Sequence, residues 1–391
     1  MLIVVLLGLA ALRRITSEQT PPLVVRRTLS DYVRLPGREP LLVWPREGQA
    51  TVEIEGLGSF GGSGGSEPVP IASVAKVMTA YLTLREHPLS GAGQGFVMTI
   101  TAADVGEEEQ RLALGESTLR VRSGERISER QALQALMLPS ANNIAALLAR
   151  YDAGGLAPFV ASMNSTARSL GMLSTTYTDP SGFDDETVST AADQLKLARA
   201  AMRSPVFAAI VDESSVSLPV VGRVANYNGL VGAAGYIGVK TGSDRAAGGC
   251  LVFAKQVRID GRRLTVLGVV LGQRQGSLID AALTSAERLG DSAAASLREE
   301  TVLPAGTSVL NASSADGRRT KAVTARPLRE IGWGGEKVPV NMVVRPVVSR
   351  LGAGERMATV VIGGAEVAKT SALATSSVGG PSLGWRLQHL F

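Results

Sequence analysis

The chain has 391 residues, 45% of them hydrophobic and 19% charged, with a net charge of +5. That length suits two or three domains of about 150 residues, each able to bury a core. One cysteine, Cys250, excludes an internal disulfide framework and a multi-cysteine metal centre. The two histidines, His87 and His389, lack partners at ligand spacing, so a histidine triad or metal centre is not expected.

The basic excess is dispersed and mostly arginine, with no basic run interleaved with aromatics, so no nucleic-acid partner is expected. The chain opens on an apolar run, Leu2 to Leu12, followed by Arg13 and Arg14. At about 1.5 Å per residue the run is too short to cross a roughly 30 Å hydrocarbon core. No basic stretch precedes it and no small-x-small cleavage site follows. Residues 1–14 are therefore read as an apolar membrane or export segment, the tail of a longer membrane segment being preferred. Residues 15–47, rich in Pro and Arg, read as an extended connector.

A catalytic-sized domain is expected over 48–298. Ala50 to Glu55 alternates like a strand, and the glycines of Gly56 to Gly65 then read as a flexible loop. Gly56-Leu57-Gly58-Ser59-Phe60-Gly61 spells a dinucleotide fingerprint, but Pro68 and Pro70 follow where a helix must begin, so a nucleotide site is rejected. Helical spacing of apolar residues predicts a helix over Ser73 to Glu86. Ser128 and Gln131 form a capping box before the next helix, which Pro139 stops. Further helices are predicted from Asn142, over Leu156 to Leu170 with Gly171 as cap, and over Thr190 to Met202. The period then changes to strands: Tyr236 to Thr241, Gly249 to Val257 and Leu264 to Leu271, with Asp260-Gly261 as a hairpin turn. A helix over Ser277 to Leu297 closes the domain. The order argues for an α+β fold, an antiparallel sheet flanked by helices. Residues 299–391 read as a small β-rich domain, with strands at Lys321 to Ile331, Val338 to Val348, Met357 to Ile362 and Glu366 to Ala374.

Three short segments carry chemistry. Ser73 and Lys76 stand one helical turn apart, on one face. A serine hydroxyl needs a base to become a nucleophile, and a lysine serves only when burial or a second cation keeps it neutral. Arginine, always protonated, has no such option, so a lysine here in an arginine-rich chain is informative. Ser140-Ala141-Asn142 lies in a helix–Pro–helix corner. Lys240-Thr241-Gly242 lies on a predicted strand, where a cation, a hydroxyl and a missing side chain suit an extended peptide carboxylate. Ser162-Met163-Asn164 and Lys369-Thr370-Ser371 look alike, but the first sits in a core-like helix and the second lacks the glycine.

Ser-x-x-Lys, Ser-x-Asn and Lys-Thr-Gly in this order are the signatures of penicillin-binding proteins and class A β-lactamases. Over residues 48–290 the chain resembles the low-molecular-mass penicillin-binding proteins, the serine D-alanyl-D-alanine carboxypeptidases. Pro70-Ile71-Ala72-Ser73, Phe159 to Asn164 and Asp179-Pro180-Ser181-Gly182-Phe183-Asp184 agree. The resemblance implies a transpeptidase-type fold with a helical subdomain, and an acyl-enzyme on Ser73 formed from a peptidoglycan stem peptide ending in D-Ala-D-Ala.

It implies Lys76 as general base, Ser140 as proton relay, and Asn142 orienting Lys76 and the substrate amide. Lys240 and Thr241 would hold the carboxylate, with Lys240 also helping to keep Lys76 neutral. Gly242 would admit the substrate backbone, and the Ser73 and Ser243 amides would form the oxyanion hole. It further implies β-lactams as covalent inhibitors, no metal or organic cofactor, membrane association, and action at the outer face of the cytoplasmic membrane or in the wall.

Ala75 and Asn143 depart from residues frequent in the family. A D,D-endopeptidase would use the same residues. A β-lactamase would want Glu-x-x-Leu-Asn between residues 143 and 239, which is missing. A wall-binding scaffold that no longer turns over is the reading from another class.

Overall fold

The computed structural model describes residues 21–346, 349–363 and 367–388. The apolar start over 1–14 lies outside them. The described residues divide into two units: 41–295, and 21–40 together with those described from 296 on.

The first two strands, β1 (Val24–Arg27) and β2 (Tyr32–Arg34), fall in the segment expected as a bare connector. They are too short and too exposed to show a pattern of their own, and their partners come from the far end of the chain.

In residues 41–295, β3 (Gln49–Ile54) turns back into β4 (Gly58–Ser63), where the sequence suggested a flexible glycine loop. A Cβ on Gly62 would lie 2.7 Å from the Ala50 carbonyl oxygen, so backbone proximity in the hairpin accounts for that glycine. A 3₁₀ turn, Ala72–Ala75, runs directly into α1 (Lys76–Glu86). The helix α2 (Ala102–Ala113) was not foreseen. It buries only Glu108, so it carries no apolar period, and a Thr101–Asp104 capping box sets its start.

The other helices follow the sequence expectations closely. They are α3 (Glu129–Met137), opened by the Ser128–Gln131 box, α4 (Asn142–Ala153), α5 (Leu156–Ser169) and α6 (Ala191–Met202). A short α7 (Pro205–Val211) was not foreseen. Ser204 caps it and the proline takes a first-turn position, where its missing N–H is no loss.

Strands β5 (Tyr236–Asp244), β6 (Gly248–Ile259) and β7 (Arg262–Gln273) then run antiparallel, and α8 (Leu278–Ala295) follows. Asp260 and Gly261 both take positive φ, +46° and +81°, as the predicted two-residue hairpin requires. The sheet order is β5-β6-β7-β3-β4, an α+β arrangement in which β5 is an edge strand. One core joins helices and sheet, including Val74, Met78, Leu136, Ile144, Phe207 and Val252. Each such side chain contributes roughly 1.5–3 kcal/mol on burial.

The other unit is β-rich, as expected. Its strands are β8 (Arg298–Leu303), β9 (Ser308–Ser313), β10 (Arg319–Thr324), β11 (Leu328–Gly332), β12 (Lys337–Val344), β13 (Arg356–Gly363) and β14 (Val367–Ala374). The single strand read over Lys321 to Ile331 is two strands, because Pro327 cannot donate to a ladder. Seven strands form one sheet, in the order β1-β9-β10-β14-β13-β12-β2, over a separate core that includes Val309, Val338, Met357 and Ile362. The decoy Lys369-Thr370-Ser371 lies in β14, in this unit. Among the described residues, no single helix is long and apolar enough to cross a membrane.

Candidate active site

In a 3₁₀ turn, side chains three residues apart eclipse one another. Ser73 lies inside such a turn and Lys76 begins the helix after it, so the two stack. The Lys76 Nζ donates to Ser73 Oγ at 2.7 Å and to the Ser181 carbonyl oxygen at 3.0 Å. Lys76 is fully buried, and Ser73 keeps partial exposure. Burial, which disfavours the ammonium, brings the Lys76 pKa down to about 7. Asp179 and Glu116 oppose that shift and Arg111 assists it. Before this pair stands Ala72 at φ +46°, a left-handed conformation costing a non-glycine residue about 1–3 kcal/mol.

Ser140, in the corner between α3 and α4, also takes a left-handed φ of +66°. Its hydroxyl is buried without a hydrogen-bond partner among the described residues. Asn142 opens α4, its Nδ2 donating to Glu116 Oε2 at 2.7 Å while Oδ1 is buried without a partner. Glu116 is paired in turn with Arg111 at 2.9 Å. Asn143 faces elsewhere: its amide clips the Leu119 backbone through both N–H and C=O.

Lys240 lies in β5, 1% exposed, its Nζ likewise without a partner. Burial first, and Lys76 second, hold its ammonium well below the ordinary value. Thr241 is buried beside it. A Cβ on Gly242 would lie 2.9 Å from the Val74 nitrogen and 3.0 Å from that of Ser73. Gly242 is thus required within the protein, to let β5 run against the turn that carries Ser73, in addition to any role toward a substrate backbone. Ser243 follows in the same strand, opposite Gly249.

The structure therefore gathers Ser73, Lys76, Ser140, Asn142 and the Lys240–Ser243 strand in the unit 41–295. Ser162-Met163-Asn164 stays apart, in α5. There Met163 is buried and Asn164 bonds the Tyr177 backbone.

Two groups were not singled out from sequence, Glu116 and Arg111, and the segment from Asp179 carried only the resemblance, with no role given to it. That segment forms a turn that aims the Ser181 carbonyl at Lys76. Asp179 accepts from the Ser181 and Gly182 amides at 3.0 and 2.9 Å, and from the Thr187 hydroxyl at 2.9 Å. Thr79 on α1 anchors it by donating to the Pro180 carbonyl at 2.6 Å.

Gly182 has φ +76°, and a Cβ there would fall 1.9 Å from the Ala72 carbonyl oxygen. Gly171 has φ +72° with nothing within 4 Å. Gly171→Ala is accordingly expected to cost about 1–2 kcal/mol from the left-handed backbone alone. Gly182→Ala is expected to cost roughly 1–3 kcal/mol more through overpacking. Chemical denaturation of the two variants measures the difference, and equal losses would remove the turn from the account of the site.

A family model described as D-alanyl-D-alanine carboxypeptidase matches residues 64–275. The chain is 37% identical over 139 residues to a D-alanyl-D-alanine endopeptidase of Pseudomonas aeruginosa, covering 35% of this chain and 41% of that one. It is 35% identical over 204 residues to a D-alanyl-D-alanine carboxypeptidase of Mycobacterium tuberculosis, covering 50% of this chain and 65% of that one. Each match thus spans less than two thirds of the relative. The crystal structure of the Streptomyces K15 DD-transpeptidase is 27% identical with a TM-score of 0.55, covering 66% of this chain and 98% of that one.

Proposed function

We propose a function on the premise that the chain belongs to the D-alanyl-D-alanine carboxypeptidase family: the protein removes the terminal D-alanine of peptidoglycan stem peptides through an acyl-enzyme on Ser73. One observation carries this reading. In the Ser140–Asn142 corner and on the Lys240 strand, three buried polar atoms have no partner among the described residues: Ser140 Oγ, Asn142 Oδ1 and Lys240 Nζ. Leaving such atoms unpaired costs about 1–3 kcal/mol each, an expense that a ligand with matching groups removes. A peptide ending in a carboxylate supplies that set. Its amide N–H meets Asn142 Oδ1, its carboxylate meets Lys240 and Thr241, and its leaving nitrogen meets Ser140.

In this reading neutral Lys76 takes the Ser73 proton as Oγ bonds to the carbonyl carbon. The Ser73 and Ser243 amides hold the oxyanion, at about 3–4 kcal/mol per donor. Ser140 passes the proton held by Lys76 to the nitrogen as the C–N bond breaks and D-alanine leaves, so Lys76 is neutral again. Water then attacks the ester, its proton going to Lys76 and on to Ser73 Oγ as the C–O bond to the serine breaks, and Ser73 is regenerated. The carboxylate also brings counter-charge to Lys240, whose burial otherwise disfavours its ammonium. β-lactams would acylate Ser73 by the same attack. The substrate places the protein in the cell envelope, with the apolar run Leu2 to Leu12 as the means of membrane association.

The relative named an endopeptidase favours a second reading, in which the bond cut lies in a wall cross-link and the residues act in the same way.

The deciding experiment measures D-alanine release from diacyl-Lys-D-Ala-D-Ala, with covalent labelling by a fluorescent penicillin in parallel. Ser73→Ala is expected to lose both, release falling by about a thousandfold or more. Release that persists in a folded Ser73→Ala protein would sink the acyl-serine mechanism. Labelling without release would move the reading to the endopeptidase.

A further inference from the structure

A concavity lies in the unit 41–295, away from Ser73. Gly242 faces the Ser73 turn. Gly249, opposite Ser243 and so one step on, faces α8, where a Cβ would strike Leu278 and Ala282. Residues paired directly across a sheet share a face, and neighbours along a strand alternate. The α8 side is therefore the reverse of the sheet. There a groove of about 530 Å³ opens between α8 and the segment that enters β3. Its size falls within the roughly 300–1,000 Å³ of small-molecule sites.

The floor is polar and fixed. Ser285 donates to Gln273 Oε1 at 2.8 Å, Gln273 donates to the Glu47 carbonyl at 2.8 Å, and Gln275 donates to Glu47 Oε1 at 2.9 Å. One wall is Trp44 and Pro45. The opposite wall is Thr284 and Arg288, one helical turn apart on α8. Among the described residues the side chains of Trp44, Arg46 and Arg288 make no hydrogen bond, ion pair or ring contact, so an indole and two guanidiniums remain for a ligand. Charge selects the class. Arg46 and Arg288 are balanced by Glu47 and Asp280 on the same lining, which disfavours a polyanion and leaves donors and acceptors in comparable supply. A flat aromatic face, fixed amides and hydroxyls, and no net charge match an uncharged polyhydroxyl ring.

We propose that this groove binds a neutral amino-sugar oligosaccharide, the glycan strand that carries the stem peptides. The identity of the strand rests on the function proposed above; the saccharide chemistry rests on the groove alone. One substrate polymer would then be held at two places on the sheet, by its peptide at β5 and by its glycan behind β7.

The test titrates the full chain with the tetrasaccharide of N-acetylglucosamine. It follows the indole N–H signal of Trp44, identified by its loss in Trp44→Phe. A saturable shift is expected, weakened at least about fivefold in Arg288→Ala, a truncation of an exposed side chain. The same variant is expected to lower the ratio of polymer to tripeptide turnover by a similar factor. No shift in the folded protein, a shift indifferent to Arg288→Ala, or a response to an acidic polysaccharide but not to the tetrasaccharide would each overturn the proposal. Absence of tripeptide turnover in the wild type would count against the carboxypeptidase reading, while the titration would still decide the groove.

Discussion

Replacing Lys76 by arginine is expected to cut the rate of β-lactam acylation by about a thousandfold or more, since general-base transfer contributes roughly 10²–10⁴ and arginine never gives up its proton. The wild-type rate is expected to rise with pH through about 7, where burial brings Lys76. Below that point the neutral fraction, and the rate with it, falls about tenfold per pH unit. The residual rate of the variant should lack this limb. Lys76 is fully buried, so a longer, planar head group strains its site, and Lys76→Met, closer in volume, is the companion variant. Both should lose the limb together. A pH profile that survives in either folded variant would assign the base to another group and leave Lys76 as a support for Ser73.

Glu129→Gln is expected to stabilise the protein in alkaline solution. Glu129 is 1% exposed in the first turn of α3, and its Oε1 has no hydrogen-bond partner among the described residues. Burial, with Asp152 nearby, brings its pKa up to about 7, against the restraining Phe96 backbone bond and Arg130. A carboxyl whose pKa is higher folded than unfolded favours the fold while protonated. That contribution is complete below the unfolded value and lost as pH rises through about 7. The glutamine has no such loss. Denaturation curves at about pH 5 and about pH 8 should therefore diverge, the variant gaining roughly 1–3 kcal/mol on wild type between them. Parallel curves would mean that Glu129 titrates as an ordinary surface carboxyl.

How much of this was legible in the sequence differs from residue to residue. Ser73, Lys76 and the Lys240 strand were readable because their chemistry depends on side-chain type at fixed spacing, and spacing survives in a linear string. The helices α3 and α6 were readable because caps and apolar periods are local. Glu116 was not, since its approach to Asn142 depends on how the segment after α2 packs against the start of α4, and glutamate is common on any surface. The Ser181 carbonyl was beyond reach in principle: every residue has one, and only the Asp179 turn aims it. The β4 hairpin was missed because glycine, which weakens strand propensity, is required there by the closeness of the two backbones. The strands β1 and β2 failed for a different reason, having almost no buried side chains to set a period.

Those two strands also set a timetable. In a chain synthesised from its N-terminus they emerge long before their partners, for Val24 stands opposite Ser313 and Arg34 opposite Lys337. Arg27 donates to the Val340 carbonyl across 313 residues. The residues 41–295 between them find their partners among themselves and are complete while the two strands are still waiting. Closing so long a loop costs little more at equilibrium than closing a moderate one, because the penalty grows only with the logarithm of its length. The delay is kinetic instead. The seven-stranded sheet closes only once residue 374 has been made, so a ribosome that stops before β9 leaves β1 and β2 as unpaired edges open to proteolysis.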